Sequence, residues 1–367
     1  MTRVARRTGT GAPAAAPDTD PDPDRTPDPV GRTTIGIDIG GTSVRAGVVD
    51  ADGAVLDQAR AATPSTVAAT EDVIVDLVGR LAPRFRGTAP VGAVGLAVAG
   101  FLDRDRTTVL FAPHLAWRAA PVPEVIARRV GVPVVMDHDV NAAAWAEYRS
   151  GALAGARVGL LIALGTGIGA GLVVDGTIYR GAHGVAPELG HLTVVPDGRP
   201  CACGKRGCWE RYCSGTALAT TAGELWAQQD APVLRSLVPE GPDGLTGSLV
   251  ALAAAQGDPV AVAAMADLAG WLARGLALVA DVLDPDVVAI GGGVSRSAEA
   301  FLPDAVAGFG SMVTGSAHRA LPEVRVARFG GGAGLLGAAW LAEQSLHEPP
   351  GRAVAGAGNG RAGTTGR

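Results

Sequence analysis

The sequence predicts an α/β protein whose folded part consists of two related halves. Two observations carry that prediction. Strand-like and helix-like patterns alternate along most of the chain, which implies a mixed or mostly parallel sheet. A strand–glycine turn–strand–Asp-Gly plan also occurs twice, from Thr33 and again from Val158, about 125 residues on, as an internal duplication would leave it.

Residues 1–32 are a tail of Pro, Ala, Asp and Thr with almost no large apolar side chains, so they cannot bury a core and are expected to be disordered. The first strand, Thr33–Ile39, runs into a glycine turn. Val44–Asp50 follows, then an Asp52-Gly53 hairpin signal and a third strand near Ala54–Ala59. A short apolar strand over Val132–Met136 ends at Asp137-His138-Asp139-Val140-Asn141, after which Ala142–Tyr148 reads as a helix. The second half opens with Val158–Leu164, the turn Gly165-Thr166-Gly167, a strand over Gly171–Val174 and the turn Asp175-Gly176. Apolar residues at helical spacing predict a buried helix from Pro259 to Leu283. A strand over Asp286–Ile290 leads into Gly291-Gly292-Gly293, and a last helix over about Gly334–Gln344 ends the folded part. Residues 347–367 are as loose in composition as the N-terminal tail.

A chain of 367 residues suffices for two domains with sizeable cores, and its formal net charge of −5 argues against a nucleic-acid surface, which needs a basic face. Arg6-Arg7 is not followed by the apolar stretch of an export signal. The longest uncharged apolar run, Val158–Val174, is 17 residues with five glycines. That is short of the ~20 residues a spanning helix needs and reads as two buried strands. The expectation is a cytoplasmic protein without membrane contact.

Three of the four cysteines fall in Cys201-Ala202-Cys203-Gly204-Lys205-Arg206-Gly207-Cys208, with His191 ten residues upstream of Cys201. One imidazole and three thiolates make the Cys3His set of a tetrahedral structural zinc site. Gly204 and Gly207 supply the turns that bring closely spaced thiolates together. Such spacing in a large chain points to a reducing compartment rather than to a disulfide framework. Cys213 is left over and is expected to pack.

Glu188-Leu189-Gly190-His191 followed by CxCGxxGCxE up to Glu210 resembles the signature of the ROK sugar kinases (repressors, open reading frames and kinases). The resemblance covers roughly residues 33–346. It implies two actin-like ATPase (ribonuclease H-like) domains flanking a cleft: a small one from 33–140 and 334–346, discontinuous because the last helix returns to it, and a large one, 141–333, carrying the zinc motif. It implies that Glu188, His191 and Glu210 bind sugar hydroxyls, while His191, Cys201, Cys203 and Cys208 hold zinc. Carboxylates suit that task because each accepts charge-assisted hydrogen bonds from adjacent hydroxyls, and a metal-bound histidine keeps its second ring N–H for a ligand.

Asp38-Ile39-Gly40-Gly41-Thr42 lies between two strands and lacks the GK[ST] of a P-loop. Its glycines still let backbone N–H groups form a nest for phosphate oxygens, with Thr42 adding a hydroxyl. Asp38 is suited to hold Mg²⁺ through water. The turn Gly165-Thr166-Gly167 would contact the other phosphates of ATP, and Gly291-Gly292-Gly293 would pass beside the nucleoside. Each cluster alone reads equally well as a ligand-free turn; three after three strands, with DIGGT in its family position, point to an ATP cleft.

Asp139 falls at the C-terminal end of a strand, where open α/β sheets bind ligands, but Asp is equally a preferred helix N-cap. The family resemblance favours the first reading, since ROK kinases carry a catalytic aspartate in a motif close to E-N-D-A-N at this point. Asp139 would then accept the proton of a sugar 6-hydroxyl as it attacks the γ-phosphate. Two positions depart from the family. His138 replaces the asparagine before the catalytic aspartate, with Asp137 in place of the preceding glutamate, and His114, in Phe111-Ala112-Pro113-His114-Leu115-Ala116-Trp117, replaces a second asparagine. Both asparagines contact the sugar or sit beside it, so sugar preference and pH profile rest on these two histidines. The resemblance is to ATP-dependent bacterial glucokinases, with glucose as the expected sugar and homodimers or tetramers as the usual assembly. The rivals are other hexose or N-acetylhexosamine kinases, polyphosphate as donor, and a non-catalytic sugar sensor. Repressors of the family carry a helix-turn-helix domain before the DxGGT motif, where this chain has a Pro/Asp-rich tail.

Overall fold

A computed structural model describes residues 32–85 and 89–347. The two terminal segments expected to be disordered lie, but for their innermost residues Arg32 and His347, outside the described residues. In chain order the strands are β1 (Thr33–Ile39), β2 (Ser43–Val49), β3 (Val55–Ala62), β4 (Val91–Val98), β5 (Phe101–Leu102), β6 (Val109–Phe111), β7 (Arg118–Ala120), β8 (Val134–His138), β9 (Val158–Leu164), β10 (Ile168–Val174), β11 (Thr177–Tyr179), β12 (Val287–Gly291) and β13 (Glu323–Val326). The helices are α1 (Val67–Leu81), α2 (Val122–Val130), α3 (Asp139–Ser150), α4 (Gly215–Trp226), α5 (Pro232–Leu237), α6 (Gly247–Ala255), α7 (Pro259–Leu283), α8 (Leu302–Phe309) and α9 (Ala333–His347).

Two five-stranded sheets share one connectivity, β3-β2-β1-β4-β8 and β11-β10-β9-β12-β13. In each, three strands form an antiparallel meander and two more add in parallel beside the first. The repeat seen in the sequence is therefore a repeat of topology. A small sheet, β5-β6-β7, branches off after β4.

The halves are tied by exchanged helices. α3 follows the last strand of the first sheet yet packs on β9 and β10 of the second, while α9 follows the second sheet and packs on β1 and β4 of the first. α3 and α9 also pack on each other, and their backbones meet: a Cβ on Gly337 would lie 1.7 Å from the Ala142 carbonyl oxygen. Glycine is required there because no side chain fits between the helices.

The larger core surrounds α7, which buries Leu268, Leu272 and Leu276 among α4, α6 and α8. Among the described residues α7 is the one helix long and apolar enough to cross a membrane by length and composition alone. The fully buried Asp258 caps it, accepting from the N–H groups of Val260 and Ala261, and its other oxygen accepts from Val233 and Leu234 at the start of α5. One carboxylate thus satisfies the orphan donors of two helices.

Several element boundaries differ from the sequence reading; β8, for one, runs Val134–His138 in place of Val132–Met136. β3 extends to Ala62, β10 starts at Ile168, and α3 starts at Asp139 instead of Ala142. Asp, Val and Asn are weak helix formers, and here burial of Val140 and Asn141 overrides propensity.

Gly337→Ala is expected to destabilise the protein by about 1–3 kcal/mol through overpacking. Gly270→Ala, on a stretch of α7 where an added Cβ would meet nothing within 4 Å, should stabilise by about 0.4–1 kcal/mol. Thermal unfolding of the two variants checks both signs.

Candidate functional site

Asp38, near the end of β1, pairs with Arg45 on β2, and the first turn of α9 closes over it, with Gly334 at its carboxyl. Burial pushes the Asp38 carboxyl above its usual range; the Arg45 guanidinium pulls it down, and the charge of Asp139 pushes it up again. The two aspartates therefore share one electrostatic site. Asp139 is the first residue of α3, and His138 occupies the N-cap position without a side-chain capping bond. The helix-cap reading of Asp139 is thus not the observed geometry. Its Oδ1 accepts from the Val140 N–H at 2.7 Å and lies 3.4 Å from His138 Nδ1.

The cysteine motif folds as a tight hairpin. The Cys201 N–H donates to the Lys205 carbonyl, and Gly204 and Gly207 both take positive φ, +88° and +75°. One donor atom from each of His191, Cys201, Cys203 and Cys208 falls within 4.8 Å of the others. Cys203 and Cys208 Sγ are 3.6 Å apart, and Cys201 Sγ is 3.7 Å from His191 Nδ1. With Zn–S near 2.3 Å, a tetrahedral site has edges of ~3.8 Å, so the donor set fits one such ion. Trp209 anchors the motif to the core, its Nε1 donating to the Trp271 carbonyl on α7 at 3.0 Å. Cys213 is fully buried near the Leu268 carbonyl, and burial pushes its thiol pKa far up.

Glu210 links this motif to the second glycine turn. Its Oε1 lies 3.0 Å from Cys201 Sγ and 3.5 Å from His191 Nδ1, and its Oε2 faces the Ile168 N–H beside Gly167. Glu188 completes the cluster. Burial raises its pKa, the nearby His138 and His191 oppose that, and the charges of Glu210 and Asp139 reinforce it. The fold therefore brings Asp139, His138, Glu188, His191 and Glu210 together. His114 backs the DIGGT turn, where a Cβ added to Gly41 would lie 2.8 Å from the His114 Cβ. That turn is braced by Thr63, whose hydroxyl donates to the Gly40 carbonyl and whose N–H donates to the Thr42 carbonyl.

A cleft of about 850 Å³ opens beside the second turn, lined by Gly165, Thr166, Thr216, Ser248 and Gly293 among others. Of the Gly291–Gly293 trio only Gly293 reaches it. Gly291 is packed inside the sheet and Gly292 presses on Leu164 with φ +81°. The N-terminal turns of α4 and α6, capped by Ser214 and Thr246, form the opposite wall, and sequence reasoning did not find them. The signal was present as two Ser/Thr–Gly pairs ahead of apolar runs. Asn141, beside His138 and Glu188 in a second small pocket, was also missed.

Asp38 and Glu188 hold their protons more tightly in the fold than in the unfolded chain. Their ionisation therefore destabilises the ligand-free protein above the raised pKa, and the effect fades as pH falls toward ~4. Asp38→Asn and Glu188→Gln are expected to melt no lower than the parent at pH 7.5, with any gain closing toward pH ~4; calorimetry across that range checks it.

A family model described as ROK family matches residues 34–345. The glucokinase of Streptomyces coelicolor is 42% identical over 313 residues, 85% of this chain and 98% of that protein. The crystal structure of a ROK family glucokinase from Streptomyces griseus, in complex with glucose and AMPPNP, matches with a TM-score of 0.75 at 44% identity, covering 85% of this chain and 99% of that one. The ROK hexokinase of Thermus thermophilus matches with a TM-score of 0.72 at 31% identity, over 86% and 99% of the two chains. The two-sheet architecture is an actin-like ATPase fold, and both structures match it over most of the chain. Matched through both sheets, the glycine turns and the cysteine hairpin, the chain belongs to the ROK family.

Proposed function

We propose that this protein is a glucokinase that transfers the γ-phosphoryl group of ATP to the 6-hydroxyl of glucose, with Asp139 as general base. The observation that carries the reading is the convergence of Asp139, Glu188, His191 and Glu210 beside two glycine turns and a nucleoside-sized cleft. The identity to glucokinases supports the sugar and the donor. We further propose the lobe division at 33–140 with 334–346 against 141–333, and a cytoplasmic location.

Phosphoryl transfer depends on positioning and charge stabilisation more than on covalent chemistry. Glu188, His191 and Glu210 accept and donate hydrogen bonds to the sugar hydroxyls and so fix which hydroxyl reaches Asp139. Asp139 takes the proton of that hydroxyl. Backbone N–H groups of Gly41, Thr42, Thr166 and Gly167 hold the phosphates, those of Gly40 and Gly165 being engaged by the Ser43 and Gly167 carbonyls, and the cleft between α4, α6 and Gly293 takes the nucleoside. Mg²⁺, held through Asp38, would supply charge neutralisation of the phosphates. Zinc on His191, Cys201, Cys203 and Cys208 would be structural, keeping His191 and Glu210 turned toward the sugar.

Asp139→Ala is expected to retain its fold and metal while turnover falls by ~10²–10⁴-fold, the usual worth of general-base help; near-normal kcat would remove Asp139 from the role. Metal analysis should find one zinc per chain in the parent and none in Cys208→Ser. After chelation, three thiols should react with a thiol reagent, and Cys213 only on unfolding. ADP release with Mg-ATP and a panel of hexoses tests the sugar. Turnover with glucose far above the rest supports the assignment, turnover with another sugar alone moves the specificity to His138 and His114, and none with any sugar favours a non-catalytic sensor.

A further inference from the structure

Asp137 is 3% exposed, and both of its oxygens are engaged. Oδ1 accepts from the His138 N–H at 2.8 Å and from Asn141 Nδ2 at 3.0 Å. Oδ2 accepts from Arg180 Nε at 3.0 Å and from Arg180 Nη2. Arg180 belongs to the other half of the molecule, directly after β11, and its Nη1 also donates to the Ile178 carbonyl at 3.2 Å. The Arg180 carbonyl in turn accepts from the Ala186 N–H at 3.1 Å, closing the base of the loop that delivers Pro187 and Glu188.

The pair therefore spans the two sheets at a particular place. On one side lies Asp139, two residues after Asp137; on the other lies the loop of Glu188. Two N–H groups of the rigid guanidinium fork close on the single oxygen Oδ2, which sets the plane of the Arg180 head as well as its distance. Asn141 and the His138 backbone, gathered by the same carboxylate, set the first turn of α3 on which Asp139 stands.

We propose that Asp137 and Arg180 are positioning residues for phosphoryl transfer: their buried ion pair holds the proton acceptor Asp139 in register with the sugar-binding loop of Glu188. This rests on the assignment of Asp139 as base. Misplacement by ~1 Å can lower a rate by ~10²-fold, so the pair acts on turnover without touching substrate. Neither Asp137 nor Arg180 lines the cleft beside Gly165 and Gly293, so affinity for ATP is expected to be independent of the pair.

The test measures kcat, KM for glucose, KM for ATP and melting temperature in Arg180→Met, Arg180→Lys, Asp137→Asn and the double variant Asp137→Asn/Arg180→Met, with Asp139→Ala alongside. A single truncation leaves a buried charge without its partner and lowers stability, whereas the double variant removes both charges and restores it. Positioning predicts that kcat stays down by ~10²-fold in the double variant despite the recovered melting temperature, with KM for ATP within ~2-fold of the parent. Arg180→Lys, which keeps the charge but loses the fork, should fall by ~10-fold with the same split, and it is read if the truncations do not fold. Recovery of kcat together with the melting temperature, or parent-like kcat in Arg180→Lys, overturns the proposal. If Asp139→Ala itself turns over normally, the base assignment fails, and the positioning role falls with it; loss in Asp139→Ala with parent-like pair variants rejects the pair alone.

Discussion

The meeting of α3 and α9 without a side chain between them is the constraint on which the rest of the molecule depends. Gly337 lies against the Ala142 carbonyl, and each helix covers the sheet that the other follows in sequence. Neither sheet can bury that face with its own chain segment, so the halves form one unit. The contact also aims two helix N-termini at the same volume: α3 begins with Asp139, and the first turn of α9 abuts Asp38. A helix N-terminus carries a partial positive charge, which favours carboxylates and phosphates there.

The second half contributes Glu188, His191 and Glu210 to the cluster around Asp139. Its cysteine hairpin is anchored by Trp209 on α7 and gathers four donor atoms that fit one metal ion. Glu210 is where the two tasks meet, because its carboxylate touches the metal donors on one side and the second glycine turn on the other. Movement of the hairpin would therefore disturb both the Cys/His donor cluster and the second glycine turn.

Much of this was legible in the chain itself. The duplicated strand–turn–strand plan appears in the sheets as identical strand orders, and the metal donors stand together as their spacing implied. The start of α3 was misread because Asp139, Val140 and Asn141 have poor helix propensity, and burial of Val140 and Asn141 against neighbouring elements overrides it. His114 was singled out by motif, and its place beside Gly41 depends on how the segment after β6 folds back onto the DIGGT turn. The walls of the cleft beside Gly165 escaped notice because Ser214 and Thr246 look like any helix caps until the helices they start are seen side by side.

The sequence by itself determined the fold class, the repeat, the glycine turns and the Cys3His set, because each rests on local spacing: alternation along a strand, positive φ at a turn, thiolates a few residues apart. Tertiary structure alone decided which carboxylates share a field, that Asp137 meets Arg180, and that α3 and α9 trade sheets. Those relations join residues tens to hundreds of positions apart, and such contacts are set by how whole elements pack and what they exclude from water, which no local pattern encodes.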